Sequence, residues 1–280
     1  MTKPRTNPTE DPPRIADDDA LAALAAALRA TAPAAAIDPA FRAALRAELT
    51  GTAADALCYA PLATPVGNLL VAYQGQHLRL ISGKTEPDFV AEVQHEFGAI
   101  PLRATELPLR LARRVLAGIA GKRQPVAPDE LARLTPFQRA VLAKAQRIPR
   151  GEVRSYAWIA REVGQPGAVR AVGTALARNP LPLVIPCHRV IRADGELGNY
   201  SGGGDLKKDR ILRYEGVDLD QLQAMARAGL RFRGSRTTKI FCLPTCYSQK
   251  HAQERHTVYF HSQAEAESQG YRPCKLCRPA

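Results

Sequence analysis

The last 40 residues carry four cysteines in two close pairs, Cys242-x3-Cys246 and Cys274-x2-Cys277, with 27 residues between the pairs. So short a span cannot bury enough apolar surface to fold unaided. Thiol pairs at these spacings match a tetrahedral four-thiolate zinc site, and the free energy of metal binding would supply the missing stability. His251, His256 and His261 lie between the pairs and compete as donors. Four cysteines already complete a tetrahedron, so Cys242, Cys246, Cys274 and Cys277 are the expected ligands and Zn2+ the expected cofactor. The opening MTKPRTNPTEDPPR is polar and proline-broken, unlike a secretion signal, which argues against a disulfide framework and for a cytoplasmic location. No apolar run approaches the ~20 residues needed to cross a bilayer, so no membrane partner is expected.

The rest of the 280 residues divides by texture. Residues 1–55 are an Ala- and Pro-rich extension, expected to be partly disordered. From 56 to 130, LATPVGNLLVAYQGQHLRLIS reads as a β-hairpin with turns at Pro65, Gly67, Asn68 and Gly75. DFVAEVQHEFG and PLRLARRVLAGIAG follow with helical periodicity, and KRQPVAPDELARL reads as a linker. A block over 135–218 opens on Thr135-Pro136-Phe137-Gln138, a capping box with proline at the first helical position, and predicts a helix to about 147. SYAWIAREV and GAVRAVGTALARN, broken at Gly164-Gln165-Pro166, fit a helix-turn-helix or any other αα-hairpin. Residues 231–280 are the cysteine module.

The formal net charge is +12. Residues 1–55 hold 6 Lys/Arg against 8 Asp/Glu, whereas 231–280 hold 9 against 3, so the positive excess lies outside the extension. That distribution suits a polyanionic partner. Cys187 stands apart from the tail cysteines, in Val-Ile-Pro-Cys-His-Arg-Val. Pro186 sets the entering backbone, His188 can withdraw a proton, and Arg189 brings positive charge expected to favour thiolate. Neighbours on a strand point to opposite faces, so His188 can serve the thiol only if the chain turns at Cys187. Without such a turn Cys187 is an ordinary buried thiol. Cys58 has no partner in sequence and reads as a thiol without function.

PCHRV, together with SYAWIA, RAVGTALARNP and GNYSGG, resembles the O6-alkylguanine-DNA alkyltransferase family over roughly 57–217. The resemblance implies an α+β, multidomain chain: a ribonuclease-H-like α/β domain, then a mainly α, winged-helix-like domain whose helix-turn-helix enters the DNA minor groove. The partner would be double-stranded DNA containing alkylated guanine, the protein a monomer, and the transfer stoichiometric without a cofactor. Cys187 would be the alkyl acceptor, His188 its base through a water, and Glu215 the carboxylate orienting that histidine. Asn179 would support the loop before the motif, and Tyr156 would donate to the leaving guanine. Ser201 and Tyr200 would face the base, the Val190 carbonyl would take its exocyclic amine, and Arg170 would fill the gap left by the flipped nucleotide. Lys208 would line the pocket. The alternative is a non-catalytic binder of alkylated DNA, as in relatives whose cysteine is replaced.

The tail resembles the zinc domain of the bacterial Ada adaptive-response protein, a small α+β module, although Lys239 stands where glycine is usual after Thr-Thr. In that family the first cysteine, here Cys242, accepts methyl from a backbone phosphotriester. Two roles therefore remain open for the module: a structural grip on DNA, or a second methyl acceptor at Cys242.

Overall fold

The computed structural model describes residues 56–279 except 199, 201, 203, 205, 250 and 251. The expectations for the 1–55 extension, Ser201 and His251 fall outside the described residues. The first elements are strands β1 (Leu57–Thr64), β2 (Gly67–Gln74) and β3 (His77–Ser82). They form an antiparallel meander with turns at 65–66 and 75–76, where the sequence suggested one hairpin. Gly67 and Asn68 begin β2 and are not turn residues, because the two-residue turn closes one position earlier. Helix α1 (Glu86–Phe97) follows, ending on Gly98 at φ 70, a left-handed cap suited to glycine. It leads to the short strand β4 (Leu102–Arg103), which adds parallel to β1 and gives a sheet of order β3-β2-β1-β4.

Helix α2 (Leu109–Ile119) packs Leu111, Val115 and Ile119 inward. Its Gly118 is there for close approach: an added Cβ would lie 2.9 Å from the carbonyl oxygen of Leu183. The stretch read as a linker is anchored. Buried Glu130 accepts from the Leu78 amide at 2.9 Å and the Ala127 amide at 2.8 Å, and pairs with Arg114. A carboxylate that satisfies a strand edge and a guanidinium at once leaves little freedom to a connector.

Helix α3 (Pro136–Ala145) begins with the expected capping box, Thr135 Oγ1 accepting from the Gln138 amide and Gln138 Oε1 from the Thr135 amide. It ends two residues early, in a turn at 146–147. Strand β5 (Arg154–Ser155) leads directly into α4 (Tyr156–Glu162), and α5 (Val169–Ala177) follows after a turn through Gly164 at φ 75. A single 3-10 turn, Cys187–Arg189, precedes β6 (Val190–Ile191), which pairs in parallel with β5. Helices α6 (Lys208–Tyr214) and α7 (Leu219–Arg227) lead to the tail. One buried cluster runs from Leu69, Val71 and Ile81 through Leu111 and Val115 to Val141, Ile159, Ile185 and Cys187, so sheet and helices share a core.

The tail forms a second small sheet of order β10-β8-β7-β9 from β7 (Phe232–Ser235), β8 (Ile240–Cys242), β9 (Thr257–Phe260) and β10 (Arg272–Pro273), with helix α8 (Gln263–Ser268) on it. Its apolar content amounts to Phe241, Phe260, Ala266 and Tyr271, with Phe232 and Val258 at the margin. The architecture is thus mixed α/β, with several helices and sheets of mixed direction. Among the described residues no helix is long and apolar enough to cross a membrane.

Candidate active site and metal centre

The turn demanded at Cys187 is present, and a strained approach delivers it. Leu183 takes φ 74, a left-handed value that costs a branched residue about 1–3 kcal/mol, and it is held there by burial against Gly118. The Asn179 amide then ties the loop, donating to the Ile185 carbonyl at 2.9 Å and to Cys187 Sγ at 3.1 Å. Its own carbonyl oxygen accepts from the Leu181 amide at 3.0 Å. The thiol opens on a cavity of about 560 Å3 lined by Tyr156, Gly173, Thr174, Gly198, Tyr200 and Lys208, among others. Gly198, at φ 70, leaves room for the phenol: a Cβ there would sit 3.3 Å from Tyr156 Oη.

Behind the thiol lies a buried ion network. His188 Nε2 stands 3.0 Å from Glu215 Oε1. Arg189 donates from Nε to Glu215 Oε2 at 2.9 Å and from Nη2 to Oε1 at 2.7 Å, and its Nη1 reaches the Ile148 carbonyl at 2.6 Å. Arg189 therefore does not face the sulfur as the sequence suggested. The 3-10 turn sends it to Glu215, which neutralises it. The cation that acts on the thiol is Lys208, whose Nζ is fixed by the carbonyls of Val190 and Leu197, both at 2.6 Å, and lies 5.8 Å from the Tyr156 ring centre.

These surroundings set the proton affinities. Burial pushes the Cys187 thiol up, while the Asn179 amide and the Lys208 charge pull it back. Burial also holds His188 below its ordinary value despite Glu215, so at neutral pH the ring is neutral and Nε2–H donates to the carboxylate. Nδ1 is then a free acceptor; it is buried and has no hydrogen-bond partner. Glu215, although burial opposes ionisation, is drawn down to about 2 by His188 and Arg189. Lys208 falls to about 8 through burial. Burial and the neighbouring Cys187 raise the Tyr156 phenol, and Tyr200 more strongly, so both remain protonated donors at neutral pH.

The structure thus gathers Cys187, His188, Glu215, Asn179, Tyr156, Tyr200, Val190 and Lys208 around one cavity and its rear wall. Arg170 lies elsewhere, exposed near the start of α5. Cys58, half-buried on β1, faces Tyr73 and does not line this cavity. Sequence reasoning missed Arg189's structural task and the buried Glu152–Arg154 pair beneath the tail. The arginine inside the cysteine motif was the visible signal for the first; nothing local announced the second.

In the tail, the sulfurs of Cys242, Cys246, Cys274 and Cys277 all lie within 4.8 Å of one another, and all four residues are buried. Zinc–sulfur bonds of ~2.3 Å place tetrahedral thiolates about 3.8 Å apart, so this donor set fits zinc. The Leu243 amide donates to Cys277 Sγ at 3.4 Å, a contact suited to a thiolate. His256 and His261 are exposed and outside the cluster. Lys239 adopts φ 54, the left-handed conformation glycine favours.

Comparison with known proteins agrees with this geometry. Residues 136–217 match the family model described as 6-O-methylguanine DNA methyltransferase, DNA binding domain, and residues 223–280 match the metal binding domain of Ada. A methylated-DNA–protein-cysteine methyltransferase of Mus musculus is 35% identical over 175 residues, covering 58% of this chain and 83% of that protein. The protein of the same name from Salmonella typhimurium is 38% identical over 162 residues, covering 55% and 93%. That from Methanosarcina acetivorans is 34% identical over 164 residues, covering 56% and 97%. With most of each relative's length accounted for, and a thiol, a histidine–glutamate pair and a cavity assembled at one point, this chain belongs to the methylated-DNA–protein-cysteine methyltransferases, with an Ada-type metal-binding domain at its C-terminal side.

Proposed function

We propose that the chain repairs DNA by taking the alkyl group from O6 of guanine onto Cys187 Sγ, once per molecule. The observation that carries this is the Cys187 thiol opening on a 560 Å3 cavity with a hydrogen-bonding amide on its sulfur and a neutral, carboxylate-oriented histidine behind it. An alkyl carbon on an aryl ether oxygen is a weak electrophile, so it needs a thiolate at hand and a leaving group that is protonated as it departs. The thiol proton passes, through a water, to Nδ1 of His188; Glu215 stabilises the imidazolium that results. Sγ forms its bond to the alkyl carbon as the carbon–O6 bond breaks, and that electron pair goes to guanine. The Tyr156 hydroxyl donates the proton that neutralises it, and the proton His188 took from the thiol restores the phenol, so charge balances. Lys208 steadies the developing negative charge on sulfur. The product is a thioether, whose carbon–sulfur bond offers water no good leaving group, so the reaction ends there.

Double-stranded DNA with an alkylated guanine is the substrate in this reading, read by α4 and α5 as a helix-turn-helix in the minor groove. Arg170, exposed at the head of α5, would occupy the place of the flipped nucleotide, offsetting the few kcal/mol of lost stacking. Tyr200, the Val190 carbonyl and Ser201 would meet the base. Strand order β3-β2-β1-β4 with β4 parallel to β1 supports a ribonuclease-H-like domain over 56–130, ahead of a winged-helix-like catalytic domain over 135–218 and a zinc module over 231–280. A monomer suffices for a single-use acceptor.

Zinc held by the four cysteines would keep them as thiolates and close the module's fold. Cys242 is fully buried, which supports the structural role over methyl acceptance. The test is to incubate the protein with a duplex labelled at O6-methylguanine and locate the label by peptide mass. Label on the peptide containing Cys187 is expected, and its absence there overturns the proposal. A methylphosphotriester duplex with Cys242→Ala, run alongside, assigns any second acceptor.

A further inference from the structure

The zinc module does not stand off from the active site; its metal-binding loops grip the chain segment that carries Tyr156. Thr245, between the first two zinc cysteines, accepts from the Val153 amide at 2.9 Å and donates back to the Val153 carbonyl at 3.4 Å. The Tyr247 amide donates to Glu152 Oε1 at 3.1 Å. From the second pair, the carbonyls of Cys277 and Arg278 accept from the Trp158 indole at 2.9 and 3.1 Å. Arg278 then closes on Glu162 at 2.7 Å. Glu152, Val153 and Trp158 are all buried.

Tyr156 lies between these anchors. Ser155, just before it, caps α4 by accepting from the Trp158 amide at 3.0 Å. On its other side β5 pairs with β6, Arg154 opposite Val190 and Ser155 opposite Ile191, directly after the Cys187 turn. The strand is thus held from one edge by the acceptor's own loop and clasped from the other side by the zinc loops. A phenol that must donate to the leaving guanine tolerates little displacement, and a shift of about 0.5–1 Å at such a donor changes rates appreciably.

We infer that the zinc module is a clamp that positions Tyr156 over the Cys187 cavity, with Thr245 and Trp158 as positioning residues for the transfer. This rests on the reading of Cys187 as the acceptor. Because the clamping loops are those that carry the metal ligands, loss of zinc should loosen Tyr156 without touching Cys187.

The test uses the full-length, zinc-loaded protein and a duplex containing O6-methylguanine in single-turnover conditions. Thr245→Val keeps all four zinc ligands but leaves the Val153 amide without its acceptor. Transfer at saturating duplex is expected to slow about tenfold, with duplex affinity and zinc content within twofold of the parent, and Thr245→Ser is expected to restore the rate. In a Tyr156→Phe background, where no hydroxyl remains to be positioned, Thr245→Val is expected to add less than a twofold loss. A full-rate Thr245→Val protein, or an equal loss in both backgrounds, overturns the inference. Trp158 is the only tryptophan in the chain and reports independently of turnover. Its emission should shift when a zinc-selective chelator removes the metal, and an unchanged spectrum with zinc gone overturns the clamp as well. Wild-type protein that fails to alkylate Cys187 would instead sink the underlying reading of the site.

Discussion

Replacing Glu215 with glutamine removes one charge from the buried network while keeping its shape. The carboxylate side chain is 2% exposed and accepts three hydrogen bonds, from His188 Nε2 and from Nε and Nη2 of Arg189. Its displacement from the ordinary 4.5 to about 2 converts to about 3 kcal/mol of stabilisation at neutral pH. An independent route gives a similar figure, because stripping one partner from a buried ion pair costs about 3–5 kcal/mol through the charge left behind. Here that charge is Arg189, which would keep the Ile148 carbonyl and one neutral amide oxygen but no counter-charge. At about 2–4 °C per kcal/mol for a domain of this size, Glu215→Gln should lower the thermal midpoint by about 6–12 °C at pH 7. The sign of its pH dependence follows from the depressed value. The stabilisation is complete above pH 4.5 and is lost as pH falls towards 2, so the gap between the two proteins should be flat from pH 7 to 5 and begin to narrow at pH 4. Differential scanning calorimetry at those three pH values is the assay. A midpoint within 2 °C of the parent at pH 7, or a gap that widens on acidification, would refute the reasoning. Transfer to Cys187 should also slow at least about tenfold, since the imidazolium formed at His188 loses its counter-charge.

Asn179→Ala removes the amide that favours thiolate, so the rise of the transfer rate with pH should move to higher pH; an unmoved profile would mean the 3.1 Å contact does not act on the sulfur. Lys208→Met should shift the same limb upward, and the parent should show a separate decline above about pH 8 as the lysine discharges, read in a stopped-flow or quench series. Gly118→Ala would drive a methyl to 2.9 Å from the Leu183 carbonyl, and should cost about 1–3 kcal/mol of stability by urea unfolding. Cys274→Ser should lower bound zinc measured by elemental analysis, whereas His256→Ala should leave it unchanged, since only the former belongs to the sulfur cluster.

Much of the chemistry here is written locally. A turn at Cys187 after proline, a capping box at Thr135, and two thiol pairs at metal spacing each depend on a few adjacent residues, and the structure holds the turn, the cap and the gathered sulfurs. The zinc ligands needed no knowledge of the fold, because tetrahedral coordination by four thiolates is a demand of the metal. What the sequence could not express was direction across distance. Arg189 adjoins the acceptor in sequence, yet the 3-10 turn sends it away to Glu215, 26 residues further on, and the cation near the sulfur is Lys208. Glu130 in a stretch of linker-like composition becomes buried because Leu78 and Arg114 meet it there. The tail likewise reads as an appendage until Trp158 is seen bonded to the carbonyl of Cys277, 119 residues away. Such contacts arise from packing between segments distant in sequence, where burial turns an ordinary amide, indole or carboxylate into a group that must find a partner. Neighbouring residue types announce a candidate nucleophile and a metal donor set; packing between distant segments sets which of these groups face one another.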